Sequence, residues 1–233
     1  MKIRVRTPFF ETSVKNYIYG DAVLEYARVA DEVSREFDVD VLFVAPYTDI
    51  RRVKENTDRL IVLAPYMDPI RPGRGIADVL PEALKAAGAQ GVVLNHSERP
   101  VPFDQLKKTL ERANELDFLT FVCSDTIENS KKIALLHPDI MNPEPTELIG
   151  SGKVSDMGFV RDAINAIKSI DTSILIEQAA GITTPKQVYD FIMNGSDAVG
   201  SASGILTSAK PYELLKEMVR AVSQAREDLE KKA

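Results

Sequence analysis

The 233-residue sequence has no tryptophan, two histidines and a single cysteine. One cysteine, Cys123, excludes an internal disulfide and a multi-cysteine zinc site, and it reads most simply as a small buried hydrophobe. No apolar run approaches the roughly 20 residues that span a bilayer. The opening Met-Lys-Ile-Arg-Val-Arg reaches Glu11 before any long apolar stretch, so it does not read as a signal peptide. Positive charge is also short: 29 Lys and Arg stand against 35 Asp and Glu, a formal net charge of -6. No excess is left to neutralise a nucleic-acid backbone, and a small anionic ligand must find local positive groups. Ser/Gly-rich linkers and low-complexity stretches are missing too, which argues against a domain boundary. The expectation is a soluble, cytoplasmic chain of one domain, residues 1–233, with no nucleic-acid or membrane partner.

What the sequence has instead is alternation. Short apolar runs, rich in β-branched residues, predict strands over residues 7–13, 39–45, 59–64, 91–95, 118–123, 139–142, 173–178 and 197–200. Between and after them, helical periodicity predicts helices over 21–37, 50–56, 79–87, 103–116, 127–136, 157–169, 185–194 and 211–230. Eight of each, with nothing left over, imply right-handed βαβ units closing into a (β/α)8 barrel of the α/β class. The competing open doubly wound sheet would be supported by a glycine-rich turn after its first strand, but Ser13-Val14-Lys15-Asn16-Tyr17 is not one. In such barrels the chemistry sits where strands end and βα loops begin.

Strand one ends with Glu11, Ser13 and Lys15 at alternate positions, which a period of two puts on one face, towards the barrel mouth. Lysine there can hold a phosphate. Strand four ends in Asn95-His96-Ser97-Glu98-Arg99, with a histidine at the mouth and a serine placed to cap a helix directly after it. The other histidine, His137, precedes Pro138 ahead of a strand and reads as structural. Strand six runs into Pro143-Glu144-Pro145 and then Thr146-Glu147-Leu148-Ile149-Gly150-Ser151-Gly152, a carboxylate aimed by two prolines and followed by a segment with a glycine-containing end, the design of a hinged lid. After strands seven and eight come Gln178-Ala179-Ala180-Gly181-Ile182 and Gly200-Ser201-Ala202-Ser203-Gly204, turns of small residues through which backbone amides can approach an anion.

Taken together, Lys15, Asn95-His96-Ser97-Glu98, the Glu144-Pro145-Thr146-Glu147-Leu148-Ile149-Gly150-Ser151-Gly152 lid and Ala180-Gly181-Ile182 resemble the triosephosphate isomerase family, in particular its shorter archaeal-type branch. The resemblance covers nearly the whole chain. It implies a barrel enzyme that interconverts an aldose and a ketose phosphate through an enediolate, without cofactor or metal. It further implies that Glu144 is the base, that neutral His96 polarises the carbonyl, and that Lys15 supplies positive charge. The phosphate would meet amides near Ile149, Gly150, Gly181, Ala202 and Ser203, with Ser13 beside the substrate. A helix N-terminus after Ser97 is expected to disfavour the imidazolium.

Three positions depart from the family pattern. Ser13 stands where asparagine is usual, Arg74-Gly75-Ile76-Ala77 occupies the region of a Thr-Gly pair in loop three, and Ala179 replaces a glycine. Glu11 is also unexpected on its strand. These departures leave open an isomerase of another short sugar phosphate, such as a tetrose, and a non-catalytic phosphosugar-binding barrel. The resemblance implies a homo-oligomer, a dimer or tetramer, joined through loop three, for which Tyr66-Met67-Asp68-Pro69-Ile70 offers apolar residues.

Overall fold

The computed structural model describes residues 2–232; Met1 and Ala233, the two ends of the expected domain, lie outside them. Eight parallel strands close into a barrel in sequence order: β1 (Phe9–Ser13), β2 (Val41–Val44), β3 (Ile61–Ala64), β4 (Gly91–Leu94), β5 (Leu119–Ser124), β6 (Ile140–Pro143), β7 (Leu175–Gln178) and β8 (Ala198–Gly200). The seam is made by β8 pairing with β1, with Phe9 opposite Ala198 and Glu11 opposite Gly200. All eight predicted strands are present, most of them shorter than the apolar runs that announced them.

Because both faces of each strand are covered, the strands are almost wholly buried and read as continuous apolar runs. Alternation sorts their side chains into two cores. Phe9, Leu42, Leu63, Leu119, Phe121 and Ile140 fill the barrel, whereas Phe10, Phe43, Val62, Val92, Val122 and Ile176 face the helices. The ring outside consists of α1 (Asp21–Phe37), α2 (Ile50–Glu55), α3 (Pro81–Ala86), α4 (Phe103–Glu115), α5 (Ile127–Ala134), α6 (Met157–Lys168), α7 (Pro185–Met193), a short α8 (Ser203–Leu206) and α9 (Pro211–Glu230).

Helix α1 buries Val23, Leu24, Tyr26, Ala27, Ala30 and Val33, the i, i+3, i+4, i+7 stripe that its sequence announces. Helix α9 does the same with Leu215, Met218, Val219 and Val222, each contributing on the order of 1.5–3 kcal/mol if fully buried. Several starts are fixed by side chains. Thr184 and Gln187 form a capping box at α7, and Thr126 and Asp156 accept the backbone N–H of Asn129 and Gly158 at α5 and α6, caps worth about 1 kcal/mol each. No helix among the described residues is long and apolar enough to cross a membrane.

Two expectations about local structure are corrected. The stretch after β8 is not only a turn, because its small residues allow α8 to form over Ser203–Leu206. Tyr66 and Met67, expected to be free for a neighbouring subunit, are buried in the chain's own outer core, and Tyr66 donates its hydroxyl to Asp68 at 2.6 Å. The large hydrophobic side chain that loop three does expose is Ile76.

Candidate active site

At the mouth, β1 delivers Lys15 through a backbone with φ of 43°. A lysine in the left-handed region is strained, and such strain persists only where the surroundings enforce it. Here the Lys15 N–H donates to Ser13 Oγ at 3.3 Å and Lys15 Nζ donates to Glu98 Oε1 at 2.9 Å, so the ammonium is anchored across the mouth to the β4 loop.

The β4 loop turns on Asn95, also left-handed with φ of 58°, a conformation asparagine tolerates better than most residues. Its side chain ties the turn down, with Nδ2 donating to Cys123 O at 3.0 Å and Oδ1 accepting from the Val101 N–H at 3.1 Å. His96 follows, half-buried, and its Nδ1 accepts from the Glu98 N–H at 3.1 Å. An acceptor Nδ1 in a neutral ring puts the proton on Nε2, so the ring presents a donor on its far side. The ring is held neutral: burial first, then the Lys15 ammonium, lowers its pKa to about 4, against the opposing pull of Glu98. The cause expected from the sequence was different. No helix starts after Ser97, which lies in a turn closed by the Arg99 N–H on His96 O at 2.8 Å, and α4 begins only at Phe103 behind Pro102. Desolvation, not a helix end, disfavours the imidazolium.

Glu144 follows directly on β6, where its N–H donates to Ser124 O at 2.7 Å and continues the strand pairing by one residue. Only 7% of it is exposed. Burial raises its pKa to about 7; Lys15 opposes this, Glu98 adds to it, and a weak 3.5 Å hydrogen bond from Asn142 Nδ2 opposes it slightly. The chain then passes through Pro145, a 3-10 turn at Thr146–Leu148, and Gly150 and Gly152 with φ of 68° and 71°. Ser151 knots this loop, donating to Leu148 O at 2.7 Å and accepting from the Lys153 N–H at 3.0 Å.

The loops after β7 and β8 close the ring. A side chain on Gly181 would bring its β-carbon to 2.0 Å from Lys153 O, so the lid's far end packs directly on this glycine's backbone. Ser201 Oγ donates to Ile182 O at 2.8 Å and joins the two loops, leaving Ala202 and Ser203 at the mouth. All the site residues picked out by the sequence, Ser13, Lys15, His96, Glu144, Ile149, Gly150, Gly181, Ala202 and Ser203, line one cavity of about 550 Å³. His137 lies elsewhere, its Nδ1 2.6 Å from Asp171. Among the described residues no group of three or more His, Cys, Asp or Glu side chains is arranged to hold a metal ion.

Three residues escaped the sequence reading of roles. Glu98 both anchors Lys15 and orients His96, which only the fold of the turn reveals. Asn142 touches the Glu144 carboxylate, and its position two residues earlier on the same strand was a usable signal. Glu177, a charged residue in the apolar run of β7, is fully buried.

Comparison with known proteins adds independent findings. The sequence model of a family described as triosephosphate isomerase matches residues 12–184. Among curated relatives, a triosephosphate isomerase of Metallosphaera sedula is 35% identical over 229 residues, covering 97% of this chain and 97% of the relative. One from Sulfolobus acidocaldarius is 33% identical over 212 residues, 90% of this chain and 91% of the relative. Another, from Methanocaldococcus jannaschii, is 30% identical over 210 residues, 89% and 95% of the respective chains.

Proposed function

The chain belongs to the triosephosphate isomerase family, and from that premise we propose that it interconverts glyceraldehyde 3-phosphate and dihydroxyacetone phosphate, an aldose-ketose isomerisation, through an enediolate. The observation that carries the mechanism is the pairing, in one cavity, of a carboxylate whose pKa is raised to about 7 with a neutral imidazole held as its Nε2–H tautomer. Glu144 takes the proton from the carbon next to the carbonyl. His96 donates a hydrogen bond from Nε2 to the carbonyl oxygen and then to the enediolate, without being a strong enough acid to trap it. Lys15 supplies the charge that the growing oxyanion needs in a water-poor site. Backbone groups at Ile149, Gly150, Gly181, Ala202 and Ser203 take the phosphate, and Ser13, whose hydroxyl already accepts the Lys15 N–H, sets the floor beside it.

The test is turnover by purified protein of the triose phosphates, with four-carbon aldose and ketose phosphates alongside. Preference for the triose by kcat/KM is the expected result. A preference of orders of magnitude for the longer substrate would assign the cavity, which continues past Lys15 to Tyr47, Tyr66 and Arg99, to a larger sugar. Ligand-induced stabilisation without turnover would make the barrel a binding protein.

The same outer part of the cavity supports a homo-oligomer, dimer or tetramer. Ile76 stands fully exposed at the tip of loop three, a large apolar side chain with nothing of its own chain to cover it. Seated on a second copy beside Tyr47 and Arg99, it would narrow the mouth. Light scattering should give two or four times the chain mass, and Ile76→Asp should lower it. A wild-type monomer would remove this part of the reading.

A further inference from the structure

One set of buried groups has no part in the chemistry above. Glu11 on β1 and Glu177 on β7 both project into the barrel from strands flanking β8, and between them Gly200 carries no side chain. A β-carbon built on Gly200 would lie 2.2 Å from Glu177 Oε1 and 2.5 Å from Glu11 Oε2, so the two carboxyl groups close over the same point. Glu177 is fully buried, and neither of its oxygens has a hydrogen-bond partner among the described residues. Glu11, 7% exposed, reaches the floor of the active-site cavity. Two bare carboxylates so placed would repel each other with little solvent to screen them. With both protonated, each gains a hydroxyl able to donate to the other's carboxyl oxygen, and the pair carries no charge.

We propose that Glu11 and Glu177 form a doubly protonated, mutually hydrogen-bonding carboxyl pair beneath the active site, uncharged while Glu144 is ionised, and that Glu11 is a positioning residue whose ionisation sets the alkaline limit of the isomerisation. This rests on the isomerase reading above. The groups facing Glu11 are few. Lys15 at the end of β1 favours its charge, Glu144 after β6 opposes it, and Glu177 on β7 is likewise hindered by both Glu11 and Glu144. The Cys123 thiol on β5 and the Tyr26 phenol of α1 are both pushed up by burial, and His96 is neutral. Strands β2, β3 and β8 offer no titratable side chain. Burial raises Glu11 to about 8 and Glu177 well above its ordinary value, whereas Glu144 reaches only about 7. Lys15 and Asn142 Nδ2 both favour the charge on Glu144, whereas Glu11 stands against the unpartnered Glu177, and on that arrangement the base ionises first. A second negative charge, arriving later on Glu11, lies under the position where the enediolate forms and works against it.

The experiment is kcat/KM and thermal midpoint as functions of pH for wild type, Glu11→Gln and Glu177→Gln. Wild-type kcat/KM should rise through pH of about 7 and fall through about 8. By one pH unit beyond the second limb it should be roughly five- to tenfold below its maximum. Glu11→Gln should lose the falling limb. Stability carries a second signature. An unfolded glutamate ionises near 4.5 and the folded Glu11 near 8, so the folded state holds the extra proton and wild-type stability falls as pH rises between those values. Glu11→Gln flattens that decline, and so does Glu177→Gln should the first variant not fold. A purely packing role would lower the midpoint equally at every pH. A falling limb that survives in Glu11→Gln, or an unchanged slope of midpoint against pH in both variants, overturns the proposal. Absence of turnover at any pH would instead defeat the isomerase reading, and the midpoint slopes would still decide the pair.

Discussion

Glu144→Gln lowers kcat by about two to four orders of magnitude, the range over which a positioned general base contributes, while KM changes little. Glutamine keeps the shape of glutamate and can still accept from Asn142 Nδ2, so the fold and the phosphate grip survive. What is lost is an atom able to take a proton. Burial makes this carboxylate basic, moving it from 4.5 to about 7, close to the pH at which a base is both ionised and strong. The rising limb of wild-type kcat/KM near pH 7 therefore belongs to Glu144 and is missing from the residual activity of the variant. Steady-state kinetics across pH check both statements. A variant that loses less than tenfold, or keeps the limb, would take the proton-abstracting role away from Glu144. Glu144→Asp probes the same step by distance, since a carboxylate one methylene shorter stands back from the substrate carbon and also turns over slowly.

Lys15→Met costs about 10²–10³ in kcat/KM, the scale of removing one group aimed at a developing oxyanion. Lysine contributes twice here. Its ammonium faces the cavity directly, and its field keeps Glu144 from rising further and His96 from protonating. Without it the rising limb moves above pH of about 7 and KM increases with the lost phosphate attraction. Stability should barely change: the Glu98 partner is 59% exposed, and pairs with one solvated member contribute little. The backbone strain at φ 43° is imposed by the loop and is common to both side chains. Kinetics together with thermal midpoints separate the two roles. Loss of activity accompanied by a collapsed midpoint would make Lys15 a structural residue.

The barrel was legible because strand and helix periods differ and because each strand of a closed parallel sheet is buried on both faces, leaving continuous apolar runs. Boundaries were less so. The strands expected to open at Thr7, Val39 and Arg59 begin at Phe9, Val41 and Ile61, and nothing local marks the point where ladder pairing starts. Residues at strand ends, Ser13, His96 and Glu144, could be placed at the mouth by alternation and by the punctuation of Pro143 and Pro145. The origin of the neutral histidine could not. Ser97 has the composition of a cap, but the turn is governed by left-handed Asn95 and its bonds to Cys123 and Val101, partners from other parts of the chain. Glu177 was hidden for a related reason: whether a charged residue in an apolar run faces the helices or the barrel depends on register, which only closure of the sheet decides.

That closure has a bearing on how the protein is made. The ladder between β8 and β1 joins residues nearly two hundred positions apart, and Arg226 of α9 reaches back to the carbonyl oxygens of Phe37 and Asp38 at the end of α1. A chain emerging from the ribosome thus holds an open sheet, with β1 unpaired on one edge, until β8 has emerged. Until then that edge is a template for any other extended strand, and the floor of the cavity, shared by Glu11 and Gly200, does not exist. Chains cut short before β8 should therefore aggregate, with no smaller working barrel left behind.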